Sequence, residues 1–125
     1  MNKQQELKDK FYQLSLGVVG LVKLLPKEVI GIELVRQVLK SATSISANYE
    51  EATAGFSKAD FINKLSIAFK ESKETHLWLR LIRDARLNFN DKEISRLIKE
   101  SEEVANILGR SLKTARSNVK SGKQT

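Results

Sequence analysis

Along the first 25 residues the apolar side chains Leu7, Phe11, Leu14, Val18, Leu21 and Leu25 alternate spacings of four and three, which places them on one face of a helix. This seam predicts a first helix from Lys3 to Leu24. Leu25-Pro26-Lys27 ends it, because proline has no N–H for the ladder and restricts the residue before it. A second helix is predicted from near Ile32. Its seam is Ile32, Val35, Leu39, Ala42, Ser46 and Tyr49, flanked by Leu34, Val38 and Ile45. That face is wider than one partner helix covers, as in a deep bundle core or a subunit interface. The third helix, Lys58 to about Arg86, carries Phe61, Leu65, Ala68, Ser72, Thr75, Leu79 and Ile82, with a second row of Ile67, Trp78 and Leu81. The fourth carries Ile94, Leu97, Ile98, Ser101, Val104, Ala105, Leu108 and Leu112, and is expected to fray after Asn118. Apolar and polar residues nowhere alternate over a strand's length. The pattern therefore predicts an all-α, antiparallel up-down-up-down four-helix bundle: one domain over residues 1–118, followed by a flexible basic tail over 119–125.

The predicted links carry their own signals. Gly55 stands where a helix end needs a left-handed residue, which glycine adopts cheaply. Ser57 is placed to cap the third helix, with Asp60 as its capping-box partner and Phe56 and Phe61 positioned as a hydrophobic staple. Asn88-Phe89-Asn90 repeats the device: Asn90 caps the fourth helix ahead of Glu93, and Phe89 is expected to staple to Ile94. Ser41, Ala42, Thr43, Ser44, Ser46 and Ala47 are small, which suits close approach of two helix backbones. Gly17 and Gly20 read as close-packing positions or as a bend. Antiparallel packing would bring Asn48, Glu50 and Glu51 toward Glu71, Ser72, Glu74 and Arg36, so Arg36, Asn48, Glu51, Glu71 and Glu74 are candidates for a polar core or oligomer contact. Trp78 suits core packing or an interface anchor.

The run SISANYEEA followed by FINKLSIAFKESKETHLWLRL resembles the bacterial four-helix bundle family whose founding members are encoded in intervening sequences of large-subunit ribosomal RNA genes. Ser44, Ile45, Ala47, Asn48, Glu51 and Ala52 match the first part of its signature; Ala68, Glu71, Ser72 and Glu74 match the second. The resemblance spans about Leu25 to Leu112, although the family commonly has Gly where this chain has Thr53-Ala54-Gly55. It implies the bundle fold. Relatives include the accessory variability determinants of diversity-generating retroelements, which bind nucleic acid and a reverse transcriptase and assemble as ring-like pentamers. The resemblance thus implies a homo-oligomer, a pentamer by that analogy.

Composition narrows the chemistry. With no cysteine there are no disulfides and no thiolate metal sites, which fits a cytoplasmic protein. Leu14 to Leu25 is only twelve residues, contains Lys23, and falls short of the ~20 that a membrane span needs. Glu6 and Asp9 argue against a signal peptide. The acids Glu50, Glu51, Glu71 and Glu74, with His76, are the residues from which a metal site would have to be built. Glu74 and His76 are two residues apart and point to nearly opposite sides of a helix, and the chain has one histidine. No glycine-rich phosphate loop or nucleophile–base pair is evident. The expectation is a protein without catalytic residues, metal or cofactor.

The basic residues are the more informative set. Twenty-two Lys and Arg against fifteen Asp and Glu give a net charge of +7. Lys73, Arg80, Arg83 and Arg86 form a stripe on the third helix, with His76 between. Beyond Gly109 come Arg110, Lys113, Arg116, Lys120 and Lys123 with no acid. Such a segment suits either an interaction arm or the cation-favouring end of a helix dipole. Lys73, Arg80, Arg83, Arg86, Arg110, Lys113, Arg116 and Lys120 are therefore the candidate nucleic-acid-binding residues, for RNA or DNA. The rival expectation is a scaffold that docks a partner protein, such as a reverse transcriptase, without touching nucleic acid.

Overall fold

The computed structural model describes residues 2–87 and 90–120, and among these it contains four helices and no strand. Helix α1 spans Lys3–Val22, α2 Val29–Ala52, α3 Lys58–Asp84 and α4 Asp91–Lys120. Each packs on its chain neighbours and α4 closes against α1, while the diagonal pairs make no close backbone approach. The result is an antiparallel bundle of four sides, as the apolar spacing predicts.

The α1 seam lies in the core: Leu7, Phe11, Leu14, Val18 and Leu21 are buried, and Leu25 remains so past the helix end. Asn2 caps the helix by accepting a 2.8 Å bond from the Gln5 N–H. The α2 start differs from expectation. The helix begins at Val29 rather than Ile32, because the Ile32 N–H already donates to the Glu28 carbonyl at 2.8 Å. Its buried face is also rotated from the predicted seam. Val38, Ser41, Ala42, Ile45, Tyr49 and Ala52 are buried, whereas Ile32 is 52% exposed and Val35, Leu39 and Ser46 are half-buried. The predicted flank is the true centre, because α2 packs against both α1 and α3 and its buried arc points between them. Phe11 and Tyr49 meet edge to face across the α1–α2 seam, with centroids 5.0 Å apart.

The contact between α2 and α3 is the most extensive in the bundle, and the small residues explain it. Ser41, Ala42, Ala68, Ser72 and Thr75 are all buried along it. Thr75 Oγ1 donates to Ser41 Oγ at 2.9 Å, and Ser41 Oγ in turn donates to the Val38 carbonyl. Between α1 and α4, Gly17 serves the same purpose: a Cβ there would stand 2.5 Å from Leu97 Cδ2, whereas one at Gly20 would meet open space. Gly17 is thus a packing position and Gly20 is not.

At the α2–α3 link Gly55 has φ +84°, and Ser57 Oγ accepts from the Asp60 N–H at 3.0 Å. The Phe56–Phe61 staple does not form. Phe56 is 84% exposed while Phe61 packs against the core, because the link carries Phe56 outward before α3 begins. The end of α3 is a Schellman motif: Leu87 N–H reaches the Ile82 carbonyl and Arg86 N–H the Arg83 carbonyl, with Arg86 at φ +58°. It stops the helix two residues short of Arg86. Asn90 caps α4 by accepting from the Glu93 N–H at 3.1 Å, and α4 continues two residues past Asn118. The Phe89 staple and the tail beyond Lys120 lie outside the described residues.

Candidate nucleic-acid interface

Phe69 sits on the side of α3 that faces α4, and Gly109 is opposite it. A Cβ on Gly109 would be 3.1 Å from Phe69 Cε1, so the ring lies directly against the α4 backbone. Phe69, Leu77 and Leu112 form the floor of a shallow groove between the two helices. Lys70 and Lys73 line it from α3; Lys113, Arg116 and Lys120 line it from α4. Helical side chains lean toward their own N-terminus. In an antiparallel pair, Lys73 therefore leans along α3 and Arg116 along α4 so that the two converge over the floor.

What distinguishes these five cations is their convergence on one groove. Several basic residues elsewhere are paired with acids: Lys8 with Glu50 (3.4 Å), Lys10 with Glu103 (3.1 Å), Lys64 with Glu51 (3.3 Å), and Arg96 with both Glu93 and Glu100. Among the described residues no ion pair joins Lys70, Lys73, Lys113, Arg116 or Lys120 to a carboxylate. Glu74 is the acid lining the groove, and it sits beside Glu71. Burial and then the Glu74 charge push the Glu71 carboxyl above its usual range, while Lys40 and Lys70 oppose the shift.

The eight sequence-predicted cations do not form one surface. Lys73, Lys113, Arg116 and Lys120 share the groove. Arg80, Arg83 and Arg86 lie toward the opposite end of the bundle, because the antiparallel course of α4 sets its acidic start, Asp91 and Glu93, against the end of α3. Arg83 is held by Asp84 at 2.8 Å. Arg110 lines a separate groove between α1 and α4 with Lys3, Leu7, Phe61 and Ile107. Lys70 was missed, although its three-residue spacing from Lys73 is the signal that would have found it. Lys3 could not be joined to Arg110 without the topology. His76 stands between the two cation clusters with Nε2 3.7 Å from a Glu102 carboxylate oxygen. Its pKa is lowered, chiefly by burial and then by Arg80; Glu102 opposes this, and Lys73 and Arg83 add to it.

Of the polar-core candidates, Arg36 and Asn48 pair within α2, while Glu51 reaches across to α3. Arg36 bonds Glu33 at 2.9 Å, Asn48 donates to the Ser44 carbonyl at 2.9 Å, and Glu51 holds Lys64. A second polar link between α2 and α3, buried where Glu51–Lys64 is on the surface, is Ser41–Thr75 at the small residues where the backbones approach. Trp78 packs half-buried against the core, and its indole N–H is buried without a partner. Among the described residues no three His, Cys, Asp or Glu side chains gather to hold a metal, and no helix is long and apolar enough to cross a membrane.

No curated protein matches the chain. One solved structure with which it aligns is a protein of unknown function from the S23 ribosomal protein family of Bacteroides thetaiotaomicron VPI-5482. The two are 36% identical over 90% of this chain and 99% of that one, with a TM-score of 0.79. The family model described as 23S rRNA-intervening sequence protein matches residues 3–110, so Lys113, Arg116 and Lys120 lie beyond the matched segment. Over nearly its whole bundle, then, the chain belongs to the 23S rRNA-intervening sequence protein family.

Proposed function

We propose that the protein is a non-catalytic helical bundle that binds nucleic acid through phosphate contacts in the α3–α4 groove. One observation carries this reading: Lys70, Lys73, Lys113, Arg116 and Lys120 line one groove, five cations against one lining acid, Glu74. Like charges gathered this way repel, and a phosphate placed among them relieves that repulsion while releasing condensed counterions. Assembly of several copies belongs to the proposal, since each copy adds +7 to the field that attracts a polyanion. The exposed apolar side chains Leu24, Val29, Ile30 and Ile32 at the α1–α2 end support such a contact. The cytoplasm, where RNA and DNA are accessible, is the proposed location.

Filter binding between about 50 and 200 mM salt tests the reading. Five phosphate contacts per copy give a log–log slope of about −4 to −5 on duplex, and Arg116→Ala reduces its magnitude by about one. No binding at the low-salt end rejects nucleic-acid binding and leaves the protein-docking scaffold as the reading to pursue.

A further inference from the structure

We infer that the occupant of the α3–α4 groove is the backbone of a nucleic-acid duplex, engaged without regard to sequence, rather than a single strand. The inference rests on the proposed function and specifies its ligand.

The groove offers charge in two rows. On α4, Lys113 and Lys120 are seven residues apart, about 10 Å along the helix axis, with Arg116 between them. On α3, Lys70 and Lys73 form the second row. Packed helices stand about 8–10 Å apart, so the rows are separated laterally by that order, with an apolar floor between. A single strand has one line of phosphates and follows one row. A duplex has two, at a separation fixed by its own geometry, and can engage both rows at once.

The groove also lacks what a single-strand binder uses. Such proteins stack successive bases on exposed aromatic rings. Among the described residues lining this groove, Phe69 is the aromatic one, and its ring is committed to the Gly109 backbone. The remaining floor is Leu77 and Leu112, which make no base-specific hydrogen bonds. Neither asparagine nor glutamine lines the groove to pair with a base edge. The cations, with Ser66 and Ser117 beside them, are groups that contact phosphate oxygens, and such contacts position a backbone without reading sequence. Both helices are continuous through the site, so the array is rigid and suits a rigid ligand.

Fluorescence anisotropy on the full chain decides the matter, using a mixed-sequence RNA duplex, its DNA counterpart and a single strand of the same length. The expected result is at least tenfold tighter binding of one or both duplexes than of the single strand. A duplex of unrelated sequence should bind within a factor of about three, since no base is read. Lys70→Ala/Lys73→Ala and Lys113→Ala/Lys120→Ala, all surface changes, should each weaken the duplex and flatten its salt slope. Equal or tighter binding of the single strand overturns the inference while leaving nucleic-acid binding intact, as does indifference of the duplex to either row. Failure to bind any of the three overturns the functional reading itself.

Discussion

Arg86 occupies the C′ position of the α3 Schellman motif at φ +58°, where a side chain costs of the order of 1 kcal/mol relative to glycine. Its guanidinium lies outside the groove, so Arg86→Gly should stabilise the protein by about 0.5–1 kcal/mol, read as a rise in melting temperature with unchanged nucleic-acid affinity. His76 makes a prediction of the opposite kind. Its pKa in the folded protein lies below the ordinary 6.5, because burial and Arg80 disfavour the imidazolium. The unfolded chain therefore takes up the proton first as pH falls. The stability associated with neutral His76 is complete above about pH 7.5 and is lost as the pH drops through 6.5 toward the folded value. Chemical denaturation between pH 5.5 and 8 should show that loss, and His76→Gln should remove it; Glu71, whose pKa is raised, contributes with the opposite sign as the pH falls. At this scale the caps were legible. Ser57 and Asn90 need only a backbone N–H three residues ahead. Phe56 was not legible as exposed, because a staple depends on the angle at which the link leaves α2.

The contact between α2 and α3 shows which features of an element follow from local chemistry. The small residues between Ser41 and Ala47 announced a close approach, and it is there, with Ser41 and Ala42 buried against Ala68 and Ser72 of α3. Which polar groups would meet was not fixed by their spacing. Asn48 near the end of α2 is satisfied locally, Glu50 and Glu51 pair with lysines of α1 and α3, and the hydroxyls of Ser41 and Thr75 meet across the buried seam. That bond is buried, and its net worth should be about 1 kcal/mol. A double-mutant cycle of Ser41→Ala and Thr75→Val should give a coupling energy of that order by urea denaturation; additivity would mean the hydroxyls merely sit together. Replacing Ser72 with leucine should cost about 1–3 kcal/mol, because the backbones leave no room for the extra carbons. The rotation of the α2 face was illegible for a related reason. An apolar arc shared between two neighbours has its centre where both neighbours put it, and a single-helix periodicity cannot locate that centre.

On the scale of the whole molecule, charge and topology act together. The basic residues of α3 and α4 are evident in the chain, but whether they converge depends on the direction in which the helices run. In an antiparallel pair the end of α3 faces the start of α4. Arg80, Arg83 and Arg86 thus lie near Asp84, Asp91 and Glu93, while Lys113, Arg116 and Lys120 meet Lys70 and Lys73 farther along. The family match ends at residue 110, so the shared pattern accounts for the bundle and not for the α4 half of the groove. A charge-swap comparison separates geometry from net charge. Arg80→Ala/Arg86→Ala and Lys113→Ala/Lys120→Ala each remove two positive charges and leave the same net charge on the chain. If the polyanion responds only to total charge, the two double variants lose affinity equally. If it is held in the groove, the α4 pair should cost at least tenfold in dissociation constant near physiological salt and the α3 pair no more than about threefold, with the salt slope falling by about two for the α4 pair alone.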